Sequence, residues 1–303
     1  MSIPFHDGEI MIQARAGVRE EAEQVSKVIS AIIKPAAVEF LRTQQLAIAS
    51  TIAADRTVWA SLLTGPFGFV QVLDKQTVQL NPFPIQNPKS KIQNLSNGSQ
   101  IGLLVIDLSN RRRLRLNGNI TMQQEEILQI QIQQSLFNCP KYIQTRYLKT
   151  TEITTSKPPE LQTRFALNET DKTWLIQADT FFIASAHPDN GADASHRGGF
   201  PGFVQIVDSQ TLLFPDYSGN NMFQTLGNLT VNPRAGLIFV DFEQGHTLQV
   251  TGQATILWET DQLAAFAGAQ RLIQFSIEQL RETRNATPLR WQFGEYSPAN
   301  PHF

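Results

Sequence analysis

The residues best suited to bind a ligand lie between Ala194 and Asn228. Ser195, His196 and Arg197 precede two glycines, and a polar segment rich in Asn, Gln and Thr follows. A guanidinium presents planar donors that match phosphate oxygens, and neutral donors at the start of a helix can complete an anion site. The stretch therefore predicts a phosphate cradle, and its candidate ligands are Arg197, Asn220, Asn221, Gln224 and Thr225.

Other kinds of chemistry fit the sequence less well. Asp193, Ser195 and His196 could suggest hydrolysis. Neighbours along a strand point to opposite faces, however, so these residues cannot form a catalytic triad among themselves. A metal site at His187 and His196 is poorly supported, because only Asp189 or Asp193 lies near them in sequence. Cys139 lies where a helix begins, and packing is its favoured role because no histidine is near it in sequence. We therefore name no catalytic residue and predict no metal site.

The chain repeats itself. Ala60–Thr121 aligns without a gap with Ala194–Thr255, an offset of 134 residues. Roughly 18 of about 62 aligned positions are identical, which is far above chance for a repeat of this length. The period is much longer than that of a solenoid, so the sequence predicts two copies of one small domain.

The two copies differ at the predicted phosphate site. Leu63 occupies the position of Arg197, whereas Lys91 occupies the position of Thr225. Either copy could therefore hold the anion, or the two could share it. We favour the second copy because it combines Arg197 with amide and hydroxyl donors, and we keep Lys91 as a candidate ligand.

Short apolar runs separated by polar turns predict about six antiparallel strands in each copy. Apolar spacing also predicts one helix over Ile10–Ile33, amphipathic from Val18, a second at Ala36–Gln44 and a third at Gln123–Leu136. The predicted class is mainly β with flanking helices, arranged as small barrels. The predicted divisions are an N-terminal helical segment (1–39), a first repeat with trailing helices (40–147), a linker (148–160) and a second repeat with a C-terminal extension lying extended over the surface (161–303).

Composition narrows the functional class. A net charge of -2 gives no electrostatic reason to bind nucleic acid or an anionic membrane. No apolar stretch approaches the roughly 20 residues of a membrane span, and no secretory leader is evident, so we expect a cytoplasmic protein. The single cysteine excludes an internal disulfide. The basic run Arg111–Arg115 is interpreted as a solvated strand edge rather than a ligand contact.

At these residues the chain resembles the pyridoxamine 5'-phosphate oxidase-like FMN-binding split barrels. The similar segments are the strand carrying Ser195–Arg197, the segment Asn228–Phe239, the closing strand Leu248–Gly252 and, in the first copy, Arg112–Gly118. Cys139–Gln144 is similar to a segment of uncharacterised members. The resemblance covers both copies and implies tandem split barrels that form an intramolecular pseudo-dimer with FMN in the cleft between them.

The resemblance also implies roles for individual residues. Arg197, Gln224 and Thr225 would contact the FMN phosphate, while Ser195 and His196 would lie along the ribityl chain or the flavin edge. The family's Ser-Arg-Lys phosphate cluster is replaced here by residues 223–225, which lack its charge. The family's substrate-binding arginine and histidine pattern is not evident near the end of the chain, so the vitamin B6 reaction is not implied.

The expected function is that of a flavin-dependent oxidoreductase acting on an unknown small molecule. NAD(P)H or a reductase is the expected electron donor, and the expected assembly is a monomeric pseudo-dimer or a homodimer. One alternative is a non-catalytic protein that binds or senses a flavin or haem. The other is a degenerate scaffold module in which the cleft holds no ligand.

Overall fold

The computed structural model describes residues 4–81, 95–124, 127–149 and 157–302. In these ranges the chain is mainly β with antiparallel sheets, which confirms the predicted class. The strands of the first sheet are β1 Leu46–Ile52, β2 Val58–Thr64, β3 Val70–Val72, β4 Thr77–Leu80, β5 Gln100–Asp107, β6 Arg112–Gln124 and β7 Ile127–Asn138. A short strand, β8 Arg146–Leu148, follows.

The second sheet is built from the later strands. They are β9 Glu160–Arg164, β10 Thr180–His187, β11 Gly191–Gly198, β12 Gln205–Asp208, β13 Thr211–Tyr217, β14 Arg234–Asp241, β15 His246–Leu257 and β16 Ala269–Arg284, with β17 Trp291–Phe293 after them. The helices are α1 Asp7–Arg15, α2 Arg19–Ser26, α3 Pro35–Arg42, α4 Glu169–Gln177 and α5 Gln224–Val231, and a 3-10 helix spans Asp261–Ala265. No helix within the described ranges is long and apolar enough to cross a bilayer.

The two large sheets have the same strand order. The first runs β2-β1-β5-β6-β7-β4-β3 and the second runs β11-β10-β14-β15-β16-β13-β12, with β9 added beside β16. The offset of 134 residues that relates the two sequence copies also relates the starts of β1 and β10, of β5 and β14, and of β6 and β15. The sequence repeat is therefore also a repeat of topology.

The two halves contact each other through matched residues. Gln249 on β15 donates a hydrogen bond to Ser61 Oγ on β2, at 3.0 Å. At the same offset, Arg115 on β6 donates to Ser195 Oγ on β11, at 3.1 Å. The same contact is thus made in both directions, as in the isologous interface of a twofold dimer.

A shared apolar core joins the halves. Ile48 and Ala60 from the first sheet pack with Phe182, Ala194 and Ile238 from the second, and all five are buried. Each sheet also has its own core on its other face. Burial of apolar surface between the sheets is the main force that holds the halves together.

Two matched glycines allow the sheets to approach. A Cβ added to Gly102 would lie 2.6 Å from the Ala192 carbonyl oxygen, and one added to Gly236 would lie 2.6 Å from that of Val58. We expect Gly102→Ala to lower the free energy of unfolding by about 1–3 kcal/mol because backbone must move. Urea unfolding measures this, and Gly219→Ala, which points into open space, is the control. Equal stability of the two variants would contradict the expectation.

Three local predictions were wrong. The segment predicted as helix Gln123–Leu136 is mostly β7, in which buried Leu128, Ile130 and Ile132 alternate with glutamines. That period of two is the strand signal, whereas the helical spacing was coincidental. The N-terminal region forms the separate helices α1 and α2, divided near Gly17, whose φ is 69°. Each copy has seven strands in the shared order rather than six.

The C-terminal extension was also predicted incorrectly. It does not simply lie over the surface, because β17 pairs antiparallel with β8 from the other half. Trp291 of β17 is buried in the core between the sheets. The prolines that indicated an extended tail flank this strand, and the apolar Trp291 anchors it.

Candidate functional site

A cleft lies where the two halves meet, between β6 with the segment after β7 on one side and β11, β13 and the start of α5 on the other. It encloses about 830 Å³, including the part open to solvent. The wall from the first half is formed by Arg113, Arg115, Asn138, Cys139, Lys141 and Tyr142.

The structure brings together the ligand residues that the second repeat was predicted to supply. Ser195, His196, Arg197, Asn220, Asn221, Gln224 and Thr225 all line this cleft. Asp216, Tyr217 and Phe223 are among the other residues of the second half that line it. Lys91, the candidate from the first repeat, lies outside the described residues.

Arg115 ties the two walls together. Its Nε lies 2.8 Å from Asp193 Oδ1, and both side chains are buried. Its remaining nitrogens donate to Ser195 Oγ and to Gln224 Oε1. Thr225 Oγ1 donates to the other oxygen of Asp193 at 3.3 Å. Arg115 therefore fixes β11 and the first turn of α5 relative to β6.

Arg197 is held less tightly. Its Nη1 donates to Ser195 Oγ at 3.0 Å, and its Nη2 lies 3.9 Å from Asp216 Oδ1. Asp216 also faces Arg271, whose Nε is 3.5 Å away. Burial lowers the pKa of Arg197 and raises that of Asp216. The long contact to a shared carboxylate leaves much of the charge of Arg197 available to a ligand.

Of the three arginines that line the cleft, Arg113 has the least favourable electrostatic surroundings. Its Nε donates to the Cys139 carbonyl oxygen at 3.0 Å. Burial lowers the pKa of Arg113 to about 9, and repulsion from Arg115 and Arg197 adds to that effect. No carboxylate within the described parts of the chain opposes this shift. A bound anion would offset this repulsion and the cost of burial, because it would supply the missing opposite charge.

The interpretation of the basic run as a solvated edge was wrong. β6 is not an edge strand, because it pairs with β5 on one side and β7 on the other. Arg113 and Arg115, two residues apart, line the cleft, whereas Arg112 stacks against the rings of Phe40 and Phe137. The alternation of arginine with leucine was the available signal that two cations share one face of a strand, whereas the burial of that face depends on contact with the second half.

Backbone conformation is unusual around the cleft. Tyr142, Asn221 and Phe223 all adopt left-handed φ angles of 66°, 61° and 59°. Such angles are uncommon for residues other than glycine and cluster at binding sites. Phe223 precedes α5, which has no side-chain cap, so the positive end of the helix dipole and its first N–H groups border the cleft.

Ser195 and His196 point to opposite faces of β11. The Ser195 hydroxyl accepts hydrogen bonds from Arg115 and Arg197, whereas the His196 ring packs edge-on against Phe182 with centroids 5.6 Å apart. Neither ring nitrogen of His196 has a hydrogen-bond partner among the residues described. Burial, with repulsion from nearby arginines, holds the pKa of His196 well below its usual value, so the ring is neutral.

Helix α1 supports the cleft from behind. It crosses α5 where Gly227 allows close approach, since a Cβ there would lie 2.7 Å from Glu9 Cα. Gln13 of α1 donates to the Met222 carbonyl oxygen at 3.0 Å. Glu9 itself is buried, and its carboxylate accepts the His6 N–H at 2.9 Å. The start of α5 is therefore held by α1 as well as by Arg115.

Replacing Glu9 with Gln should change how stability depends on pH. Burial raises the pKa of Glu9 to about 8, against a usual value of 4.5, and Asp193 adds to the shift. Between those two pH values the unfolded chain loses a proton that the folded chain keeps, so folding is progressively disfavoured as pH rises. The variant keeps the acceptor for His6 without this penalty, and we expect it to gain about 2–4 kcal/mol over the wild type by pH 8.

Urea unfolding at intervals from pH 5 to pH 9 measures this gain. Glu20→Gln, at an exposed position on α2, is the matched control and should follow the wild type at every pH. Parallel curves for Glu9→Gln and the wild type would show that Glu9 does not carry a raised pKa.

One group of possible metal ligands occurs among the described residues. Ligand atoms of His6, Asp7 and His187 lie within 4.8 Å of one another. The Nδ1 of His187 accepts backbone N–H groups from Asp189 and Asn190, at 3.0 and 3.1 Å. These bonds assign the ring proton to Nε2, the nitrogen that faces the group. A protonated nitrogen cannot ligate a cation, so the geometry does not fit a metal.

Comparison with known proteins finds one family model and several solved structures. Residues 167–291 match the family model described as pyridoxamine 5'-phosphate oxidase. No curated protein matches the chain. Among solved structures, a putative pyridoxamine 5'-phosphate oxidase from Lactobacillus delbrueckii is 15% identical with a TM-score of 0.32, covering 38% of this chain and 93% of its own. An FAD-binding protein from Mesorhizobium loti is 15% identical with a TM-score of 0.28, covering 41% and 96%.

Proposed function

We propose that the protein binds FMN non-covalently in the cleft between its halves, starting from the match of residues 167–291 to the pyridoxamine 5'-phosphate oxidase family model. We propose further that it is an oxidoreductase acting on a small organic molecule. The observation that carries the proposal is the convergence of Arg113, Arg115 and Arg197 on one cleft. In this proposal, the two halves take the place of the two subunits of a dimer.

The charge of the cleft suits a phosphate monoester. Four cationic side chains line it, and two carboxylates face them, which leaves a net charge of about +2. A phosphate monoester carries about −1.5 to −2 at neutral pH. A neutral ligand would leave the mutual repulsion of the arginines uncompensated, so phosphate is the ligand group that the site favours.

The described residues can be assigned to parts of the cofactor. Arg113 and Arg197 would hold the phosphate together with the N–H groups of the first turn of α5. Ser195, Asn220 and Asn221 supply hydroxyl and amide groups for the sugar-alcohol chain. The flavin, when bound, supplies the hydride and electron transfer. The protein's task is to orient it, and Arg115 does so indirectly by fixing both walls.

Absorbance and reconstitution test the proposal. We expect the purified full-length protein, after incubation with FMN and desalting, to retain a flavin spectrum. Riboflavin, which lacks the phosphate, is the matched ligand and should bind at least about tenfold more weakly, since charge-assisted hydrogen bonds are lost. Equal affinity for the two compounds would refute the phosphate assignment, and binding of neither would refute the proposed cofactor.

Turnover separates an enzyme from a binding protein. If the protein is an oxidoreductase, NADH or NADPH, or a reductase using one of them, should bleach the bound flavin, and oxygen or an organic acceptor should restore it. A flavin that binds stoichiometrically but is reduced by no such donor would favour the non-catalytic alternative.

A further inference from the structure

A carboxylate at the wall of the cleft stands between two arginines of the second half. Asp216 Oδ1 lies 3.9 Å from Arg197 Nη2, and Asp216 Oδ2 lies 3.5 Å from Arg271 Nε. Asp216 and Arg197 line the cleft, whereas Arg271 is not among the described residues that line it. We infer that Arg271 is a positioning residue, which offsets the charge of Asp216 and so leaves Arg197 free to bind a phosphate. The inference rests on the proposed function, because it concerns the same ligand in the same cleft.

Arg271 is fixed beside Asp216 by the sheet. The two residues are paired directly across β13 and β16, which places their side chains on one face. The Arg271 guanidinium lies over two aromatic rings, 4.9 Å from the centroid of Phe223 and 4.7 Å from that of Trp258. Its side chain is only 3% exposed, and its Nη2 donates to Gln270 Oε1 at 2.8 Å. Burial and stacking therefore hold this cation at Asp216.

The buried charge of Arg271 needs Asp216. Its Nε and Nη1 are buried and donate no hydrogen bond within the described ranges. Removing a cation from water is costly unless an opposite charge lies near it, and Asp216 supplies that charge. Burial lowers the pKa of Arg271, and Asp216 opposes that effect. The attraction is mutual, so Arg271 offsets the negative charge of Asp216 whether or not the cleft holds a ligand.

Arg197 is the member of this group that a ligand can reach. Its side chain is 20% exposed and lines the cleft. Its Nη1 donates to Ser195 Oγ at 3.0 Å and to the His196 carbonyl oxygen at 3.1 Å. Its Nη2 faces Asp216 at 3.9 Å, a distance too long for a hydrogen bond. This nitrogen can therefore donate to a phosphate oxygen as long as Asp216 does not draw it closer.

The net charge of the group depends on Arg271. Two guanidinium groups and one carboxylate together carry a charge of +1. Without Arg271, the charges of Asp216 and Arg197 would cancel, and the buried carboxylate would take Arg197 as its partner. Without both Arg271 and Asp216, the charge would return to +1, carried by Arg197 alone. Affinity for a phosphate should follow this charge, so it should fall in the first case and recover in the second.

Titration of full-length variants with FMN tests the inference. Arg271→Met keeps an unbranched side chain against the two rings but loses the charge, and it should weaken FMN binding by about fivefold, as expected for coupling within one ion-pair network. Arg271→Lys keeps the charge and should bind FMN within about twofold of the wild type. Arg284→Met is the matched control, because it removes a charge from the same strand at a side chain that is 53% exposed, and it should leave FMN affinity unchanged.

Removal of the carboxylate distinguishes positioning from mere support of the cleft. Arg271→Met combined with Asp216→Asn should bind FMN within about twofold of the wild type, because no carboxylate remains to capture Arg197. Riboflavin has no phosphate, so its affinity should be the same for Arg271→Met and the wild type. An equal fall for FMN and riboflavin, or a double variant as weak as Arg271→Met, would overturn the inference.

Asp216→Asn alone decides the matter if Arg271→Met does not fold. This variant releases Arg197 and removes a negative charge from the wall of the cleft, so it should bind FMN at least about threefold more tightly than the wild type. Unchanged or weaker binding of FMN would overturn the inference while leaving the proposed function intact. Failure of the wild type to bind FMN would overturn the proposed function, and the inference with it.

Discussion

Replacing Arg113 and Arg197 together with alanine is expected to weaken FMN binding by at least about a hundredfold. A hydrogen bond to a charged group contributes roughly 1.5–3 kcal/mol, so the loss of two such donors corresponds to about 3–6 kcal/mol. The loss should be large because the two side chains come from opposite walls of the cleft. Quenching of FMN fluorescence during a protein titration gives the dissociation constant.

The specificity of that loss can be checked in two ways. Arg112→Ala removes the same charge from the same strand, but the residue faces Phe40 and Phe137 rather than the cleft, so FMN affinity should stay within about twofold of the wild type. Riboflavin affinity should change little in the double variant, because that ligand has no phosphate. An equal fall for FMN and riboflavin would indicate a damaged cleft and contradict the assignment.

Arg115→Gln should have the largest effect on stability. The Arg115–Asp193 ion pair is buried, and removing one partner of such a pair commonly costs about 3–5 kcal/mol because the remaining charge is left uncompensated. Glutamine is the stringent substitution, since Gln249 fills the matched position in the other half and still bonds to its serine. The expected loss therefore reports the stranded Asp193 rather than the loss of a donor.

A second substitution tests this cause. Arg115→Gln combined with Asp193→Asn removes both charges and should recover most of the lost stability, because no unpaired buried charge remains. Urea unfolding of the wild type, both single variants and the double variant completes the cycle. A double variant as unstable as the sum of its singles would show that the two side chains do not act as a pair.

Much of the architecture followed from local patterns. Strands such as β5 and β14 are short apolar runs at a constant offset, so both their type and their repetition were visible in the sequence. β7 was missed because its glutamine-rich alternation also contains apolar residues at helical spacing. A period of two over so long a segment was the stronger signal, and the regular burial of alternate residues shows it.

The half of the site contributed by β11 and α5 was predictable because its residues lie close together in one stretch of sequence. The other half was not, because it depends on pairing between distant segments. Whether Arg113 faces solvent or a cleft is decided by β5 and β7 on either side of β6 and by contact with the second sheet. No local feature of the basic run encodes those neighbours, so its burial emerged only from the assembled structure.

The division of the cleft between two halves links ligand affinity to the strength of their association. A molecule that contacts both walls binds only when the two halves are associated, and it therefore stabilises their association. At a concentration one hundred times its dissociation constant, it adds about 2.7 kcal/mol to the free energy of that association. Cleaving the backbone between β8 and β9 should therefore yield two fragments whose reunion depends on ligand concentration. Association of the two fragments would then report the concentration of the small molecule.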